Sequence, residues 1–243
     1  MDSGFGNTSK LEIWSNAAVD LGAHSQTVGS LEIGNAQLDA EDAFRGTGTL
    51  TLAAGGTSEI WGTNNFSGTI VLGSGHDLAL NNASGIGASA KVDFSAADSV
   101  LTIEGAESGV FGTELSGAGT VVISDSTIAL SGGNTNFTGK WELKSDAGVT
   151  VSDNVDAVLG TGADVALDGT LTLGFASSSA TDVTIDEKLS GSGSLVLTGA
   201  NNQKFGLAGS GSDFNGTVTL NQIGMTVGGS GTGANNAEAF KDA

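Results

Sequence analysis

Short runs of alternating apolar and polar residues, each closed by Gly, Ser, Asn or Asp, recur from one end of the chain to the other. Leu11-Glu12-Ile13-Trp14, Leu31-Glu32-Ile33, Leu50-Thr51-Leu52, Ile70-Val71-Leu72 and Leu78-Ala79-Leu80 belong to the first third. Val100-Leu101-Thr102-Ile103, Val121-Val122-Ile123, Trp141-Glu142-Leu143, Leu171-Thr172-Leu173, Leu195-Val196-Leu197 and Val218-Thr219-Leu220 continue the series. Period-two alternation rich in β-branched residues is the signature of a half-buried strand. The run centres lie mostly about 8–13 residues apart, the interval of an all-β chain. Helices are disfavoured throughout. The chain holds 40 Gly in 243 residues, and each Gly inside a helix costs about 1 kcal/mol relative to Ala. Only residues 234–243, with Asn236 as a cap, read as a short helix.

The runs sit inside longer repeats. Gly46-Thr47-Gly48-Thr49-Leu50-Thr51-Leu52 returns as Gly117-Ala118-Gly119-Thr120-Val121-Val122-Ile123 and again as Gly191-Ser192-Gly193-Ser194-Leu195-Val196-Leu197, at nearly equal intervals. A second landmark follows each: Asn65-Phe66-Ser67-Gly68, Asn136-Phe137-Thr138-Gly139 and Asp213-Phe214-Asn215-Gly216. The step from Gly46 to Phe66 equals that from Gly117 to Phe137, and the step from Gly191 to Phe214 is slightly longer, so a longer loop is expected there. A third landmark, Ile86-Gly87 and Leu159-Gly160, follows Phe66 and Phe137 at a similar interval. The long repeats therefore run near 46–116, 117–190 and 191–243, the last incomplete, and 1–45 reads as the end of a preceding copy.

Landmarks about 20–24 residues apart define a smaller unit, one coil of a solenoid whose equivalent residues stack from coil to coil. The expected fold is an all-β parallel β-helix forming one unit over 1–243. It has roughly eleven coils and a length of about 50 Å at about 4.8 Å per coil. Inward positions form apolar ladders, outward positions carry Thr, Ser, Asp and Glu, and Gly and Asn turn the corners.

Charge narrows the function. Asp and Glu number 27 against 8 Lys and Arg, a formal net charge of −19. Such a chain repels phosphate backbones, so nucleic acid is not an expected partner. No Cys is present, which removes disulfide scaffolds, Cys-based zinc sites and thiol catalysis. No run of 18 or more apolar residues offers a membrane helix. The N-terminal MDSGFGNTSK has neither the basic nor the apolar stretch of a signal peptide.

Individual residues point mostly to packing. Phe66, Phe137 and Phe214 read as an aromatic stack inside the rod or at its corner, with an external ligand-stacking row as the alternative. Trp14, Trp61 and Trp141 read as core or half-buried packing rather than sugar platforms. His24 and His76 have no partner at metal-ligand spacing. The carboxylate groups Asp39/Glu41/Asp42, Asp153/Asp156 and Asp182/Asp186/Glu187 read as solvated surface, with weak divalent-cation binding as the alternative. The isolated Gly228-Gly229-Ser230-Gly231-Thr232 lacks the Asp of a calcium-binding β-roll repeat. With Arg45 as the single arginine and no nucleophile–base pair in sequence, no enzyme, catalytic residue, resident metal or cofactor is expected.

Leu195-Val196-Leu197-Thr198-Gly199-Ala200-Asn201, followed by Phe214-Asn215-Gly216-Thr217-Val218-Thr219-Leu220, resembles the autotransporter-associated β-strand repeat. The copies at 46–72 and 117–143 match it similarly, and Val19 to Leu31 looks like a segment common in such passengers. The resemblance implies a right-handed β-helix that is a fragment of an autotransporter (type V secretion) passenger of a Gram-negative bacterium. It would stand on the cell surface, held to the outer membrane by a C-terminal barrel that this stretch does not contain. The absence of Cys fits a chain threaded unfolded across membranes. The implied role is that of a self-associating or diffuse-adherence adhesin in adhesion, self-association or biofilm formation. It would be a monomer in solution, and its partner a second copy in trans or a host or matrix ligand. The rivals are a passive stalk and a carbohydrate-active β-helix enzyme, the latter requiring carboxylates about 5–9.5 Å apart in a groove. A charge of −19 opposes homotypic contact. Self-adhesion therefore needs salt screening, divalent cations or a face nearly free of carboxylates. An adhesive rod should carry an uninterrupted outward row of Asn, Thr or apolar side chains on one sheet, whereas a stalk should scatter charge over all of them.

Overall fold

A computed structural model describes residues 8–14, 17–34, 42–105, 108–152, 155–174, 183–185, 187–199, 204–207 and 213–227. Residues 228–243, including the helix expected at 234–243, lie outside this set. Every strand pairing is parallel, and each strand pairs with strands of the preceding and following turns, as in a solenoid. About eight turns are complete, fewer than the roughly eleven expected. Some turns are longer than a uniform coil would be: Leu31 and Ser58 are level on neighbouring turns, 27 residues apart.

The rod is a three-sided prism. Its first face begins with Val19–Asp20, Phe44–Gly46 and Asn65–Phe66. It passes through residues 83–88, which lie between Phe66 and Gly112. It continues through Gly109–Phe111, Thr127–Leu130, Gly148–Ser152, Thr170–Gly174, Ser194–Thr198 and Thr217–Asn221. The second face stacks the start of Ser25–Ile33 with Thr49–Leu52, Thr69–Leu72, Lys91–Phe94, Glu114–Gly117 and Asn136–Phe137. The third stacks the end of Ser25–Ile33 with Thr57–Ile60, Asp77–Leu80, Val100–Glu104, Thr120–Ser124, Lys140–Leu143, Asp164–Leu167, Lys188–Gly191 and Asp213–Phe214.

The core follows from the alternation. On the third face the inward column Ile33, Ile60, Leu80, Ile103, Ile123, Leu143 and Leu167 is buried residue by residue. On the first face Leu130, Val151, Leu173 and Leu197 form the equivalent column. Because side chains alternate with a period of two, a one-residue slip would turn every such column outward, so the ladders fix the register. Between Gly148–Ser152 and Asp164–Leu167 the sequence pattern predicts no helix. A five-residue helix, Val155–Leu159, stands there instead. Its buried Val155, Val158 and Leu159 have the i, i+3, i+4 spacing of a single helical turn facing the core.

The long repeats relate to the coils in a way the spacing does not reveal. Within one copy the landmarks stack as expected: Gly46 pairs with Phe66, Gly117 with Phe137 and Gly191 with Phe214. Successive copies do not stack on one another. The first pair lies on the first face, the second on the second face and the third on the third face. The path from Gly46 to Gly117, or from Gly117 to Gly191, is therefore three turns plus one further face, and each copy is displaced round the prism by a third of a turn. The expected single aromatic stack is corrected accordingly. Phe66, Phe137 and Phe214 are all buried but on different faces. Phe66 stacks on Phe44 with centroids 4.3 Å apart. Phe137 meets Phe94 and, edge-on, Trp141, both at 5.6 Å. Gly117 has φ 89, a conformation that L side chains rarely adopt. At Gly139 a Cβ would come within 2.0 Å of the Gly119 carbonyl oxygen. These two glycines let the Phe-containing strand settle onto the coil beneath it.

Candidate functional site: an uncharged sheet on an acidic rod

The six C-terminal strands of the first face form a continuous parallel sheet. None of them contains Asp, Glu, Lys or Arg. Its central outward row is Val110, Ala129, Thr150, Thr172, Val196 and Thr219, in register across all six strands. Thr127, Gly148, Thr170, Ser194 and Thr217 flank it on one side, and Ser152, Gly174, Thr198 and Asn221 on the other. Val110 is 54% exposed. At about 4.8 Å per strand, five steps extend this surface over roughly 24 Å. Exposed Asp125, Asp146 and Asp168, each just ahead of a strand of the sheet, line one border.

The third face has the same interior and a different exterior. Its outward row reads Glu12, Glu32, Glu59, Ala79, Thr102, Val122, Glu142, Ala166, Ser190 and Asp213. Lys10 bridges Glu12 at 2.6 Å and Glu32 at 2.5 Å. Its hydrogen bond and charge hold the Glu12 carboxyl below the usual carboxylate range. Lys140 and Lys144 close on the two oxygens of Glu142 at 2.8 and 2.7 Å. These hydrogen bonds lower the Glu142 pKa. An open groove of about 610 Å³ crosses the N-terminal part of this face between Lys10, Glu32, Glu59, Asp77 and Glu104. The second face carries Lys91, Asp93 and Glu114, with Lys91 and Glu114 paired at 2.8 Å.

The residues singled out by sequence fall as follows. Trp141 is fully buried, its Nε1–H donating to the Leu159 carbonyl at 2.7 Å. Trp14 and Trp61 are half-buried. His24 is exposed, while His76 is wholly enclosed. Of the carboxylate groups, Asp39, Glu41, Asp153, Asp182 and Asp186 lie outside the described residues, as does the Gly228–Thr232 run. Asp42 is exposed and accepts from the Asn65 side chain, Asp156 falls in the short helix and Glu187 is buried. Among the described residues no group of three or more His, Asp or Glu is placed to hold a metal ion, and no helix is long and apolar enough to cross a membrane.

Two structural asparagines lie close to the landmark residues Asn65 and Asn136 but are not part of the landmarks. The buried pair is Asn64 and Asn134. Asn64 accepts the Phe44 N–H at 2.9 Å and donates to the Gly85 carbonyl at 2.8 Å. Asn134 accepts the Leu115 N–H at 2.7 Å and donates to the Val158 carbonyl at 2.5 Å. Each clamps three successive turns. The signal was present as an Asn shortly before each Phe, but its offset from the Phe differs between the copies.

No protein-family model, no curated protein and no solved structure matches the chain. The fold and the surface together define a parallel β-solenoid rod with an uncharged sheet over the six C-terminal strands of one face.

Proposed function

We propose that this chain is a rod segment of an autotransporter passenger, displayed on the surface of a Gram-negative bacterium, and that it mediates adhesion or self-association through the uncharged sheet of its first face. The partner is a second copy in trans or a host or matrix surface. The contact requires no cofactor and no catalytic step. One observation carries the reading: a chain with a net charge of −19 keeps six consecutive strands free of charge on one side only. Like charges brought together across an interface cost several kcal/mol. This side is the one along which such a rod approaches another acidic surface at least cost. The bordering Asp125, Asp146 and Asp168 make the contact dependent on salt, because exposed charges are screened over about 10 Å at 0.1 M ionic strength. The resemblance of the repeats to those of autotransporter passengers supports the location. The stalk reading draws on the unbroken stacking of parallel coils, which would let the same rod hold a distal region away from the membrane.

The test is a settling and adhesion assay with bacteria displaying the passenger. In one variant Thr150, Thr172 and Val196 become Glu. In the control Thr102, Val122 and Ala166 become Glu, adding the same charge to the third face. The first should lose at least about tenfold in aggregation or adhesion, and the control should stay near the parent. Equal behaviour of the two variants would favour the stalk.

A further inference from the structure

A polar inset interrupts the apolar interior where the second face turns into the third. Leu31, Leu78, Leu101, Val121, Trp141 and Val165 share one inward column, and Ser58 stands among them. His76, at the neighbouring corner, has no exposed surface. Ser58 Oγ accepts the Leu31 N–H at 2.8 Å and lies 2.8 Å from His76 Nε2. His76 Nδ1 lies 2.6 Å from the Ala53 carbonyl oxygen. The ring occupies space left by Gly56, where a Cβ would approach His76 Cε1 to 2.7 Å. Three turns are thus tied through one imidazole.

The partners dictate where the ring proton sits. A carbonyl only accepts, so Nδ1 carries the hydrogen and donates to Ala53. In the neutral ring Nε2 is then an acceptor and takes the Ser58 O–H, while Ser58 Oγ receives Leu31 N–H. Every group in this relay is satisfied, and only with a neutral ring. A proton added at Nε2 sets two donors against each other and strands the Ser58 hydroxyl hydrogen among apolar side chains. It also encloses a positive charge. The charged groups on the elements packed around the ring are Glu32, Glu59, Asp77, Lys91, Asp93, Asp98 and Glu104. All occupy outward, partly or fully exposed positions, where water weakens their hold on a buried charge.

We propose that His76 is an acid-sensitive pin, and that protonation of its ring opens the corner formed by residues 53–58 and 73–77. The relay from Ala53 through the ring to Ser58 and Leu31 is complete only with the neutral imidazole, so acidification favours opening.

Hydrogen–deuterium exchange across pH 7.5 to about 5.5, the range in which a free imidazole titrates, tests this after correction for intrinsic exchange rates. Protection of peptides covering 53–60 and 73–80 should fall at least about tenfold in the parent, the response to one proton taken up over a pH unit or more. It should stay level in His76→Gln, whose carboxamide can accept from Ser58 but cannot titrate. Peptides covering 194–198 should be unchanged in both. Absence of the fall in the parent, or an equal fall in the variant, would overturn the proposal. If His76→Gln does not fold, nitrogen-15 NMR of the parent decides, because the chain has only two histidines. The hydrogen on Nδ1 at pH 7.5 supports the relay, and the hydrogen on Nε2 overturns it.

Discussion

The uncharged C-terminal sheet of the first face and the charged third face are built on the same interior. In both, most alternate residues are buried aliphatic side chains level with their counterparts above and below. Their outward positions differ. Thr150, Thr172 and Val196 on one side correspond in kind of position to Glu32, Glu59 and Glu142 on the other. Two sheets with one packing rule and opposite exteriors show that the fold leaves the outer row free. What fills that row is then available for recognition, and its segregation needs an explanation that stability does not supply. Exposed pairs such as Lys140–Glu142 contribute only about 0–1 kcal/mol, so gathering charge on one side of the rod gains little in folding.

If the interior is shared and the exteriors are independent, core and surface substitutions should separate cleanly. Asn134→Ala strands the buried Leu115 N–H and the Val158 carbonyl, each an unsatisfied group costing about 1–3 kcal/mol. A loss of about 3 kcal/mol is expected in denaturant unfolding, with protection falling on all three faces of the turns it clamps. Thr172→Ala should change stability by no more than about 0.5 kcal/mol while remaining on the proposed contact surface. A large loss at Thr172 and none at Asn134 would break the division between inside and outside.

The smallest effect belongs to the charged side. Hydrogen bonds from Lys140 and Lys144 lower the Glu142 pKa in the folded rod. A depressed folded value means that this contribution is fully present above the ordinary carboxylate range and is lost as pH falls through the lowered value. Glu142 is partly exposed, so Glu142→Gln should cost at most about 1 kcal/mol at pH 7. It should cost nothing once the parent carboxyl is also protonated. Denaturant midpoints at neutral and acidic pH would check both statements, and a penalty that persists at acidic pH would show that the side chain matters through packing instead.

Much of this was legible in the chain. Alternating runs such as Leu171-Thr172-Leu173 identified strands, inward columns and the solenoid, because a period of two has one meaning when turn-forming Gly, Ser, Asn and Asp recur between the runs. The length of one coil was legible from the steps between Gly46, Phe66 and Gly87. The coil count was overestimated because some loops lengthen individual turns. The displacement of each long repeat by one face was hidden, since the spacing from Gly46 to Gly117 does not say how many turns it contains. The uncharged face was hidden for the same reason. Its members are scattered from Val110 to Thr219, and only the pairing register brings them into one row. Ser58 and His76, distant in sequence, met only through the corner geometry that Gly56 permits.

The native chain has no cysteine, which allows a direct test of where contact occurs. Single variants Thr172→Cys on the uncharged face and Thr102→Cys on the charged face can be displayed on cells and oxidised at about 0.15 M salt, where the screening length is about 8 Å. For self-association, Thr172→Cys should form the intermolecular disulfide at least about tenfold faster than Thr102→Cys, since like charge across the other pairing costs several kcal/mol. Equal rates, or faster cross-linking through Thr102→Cys, would contradict contact through the uncharged sheet.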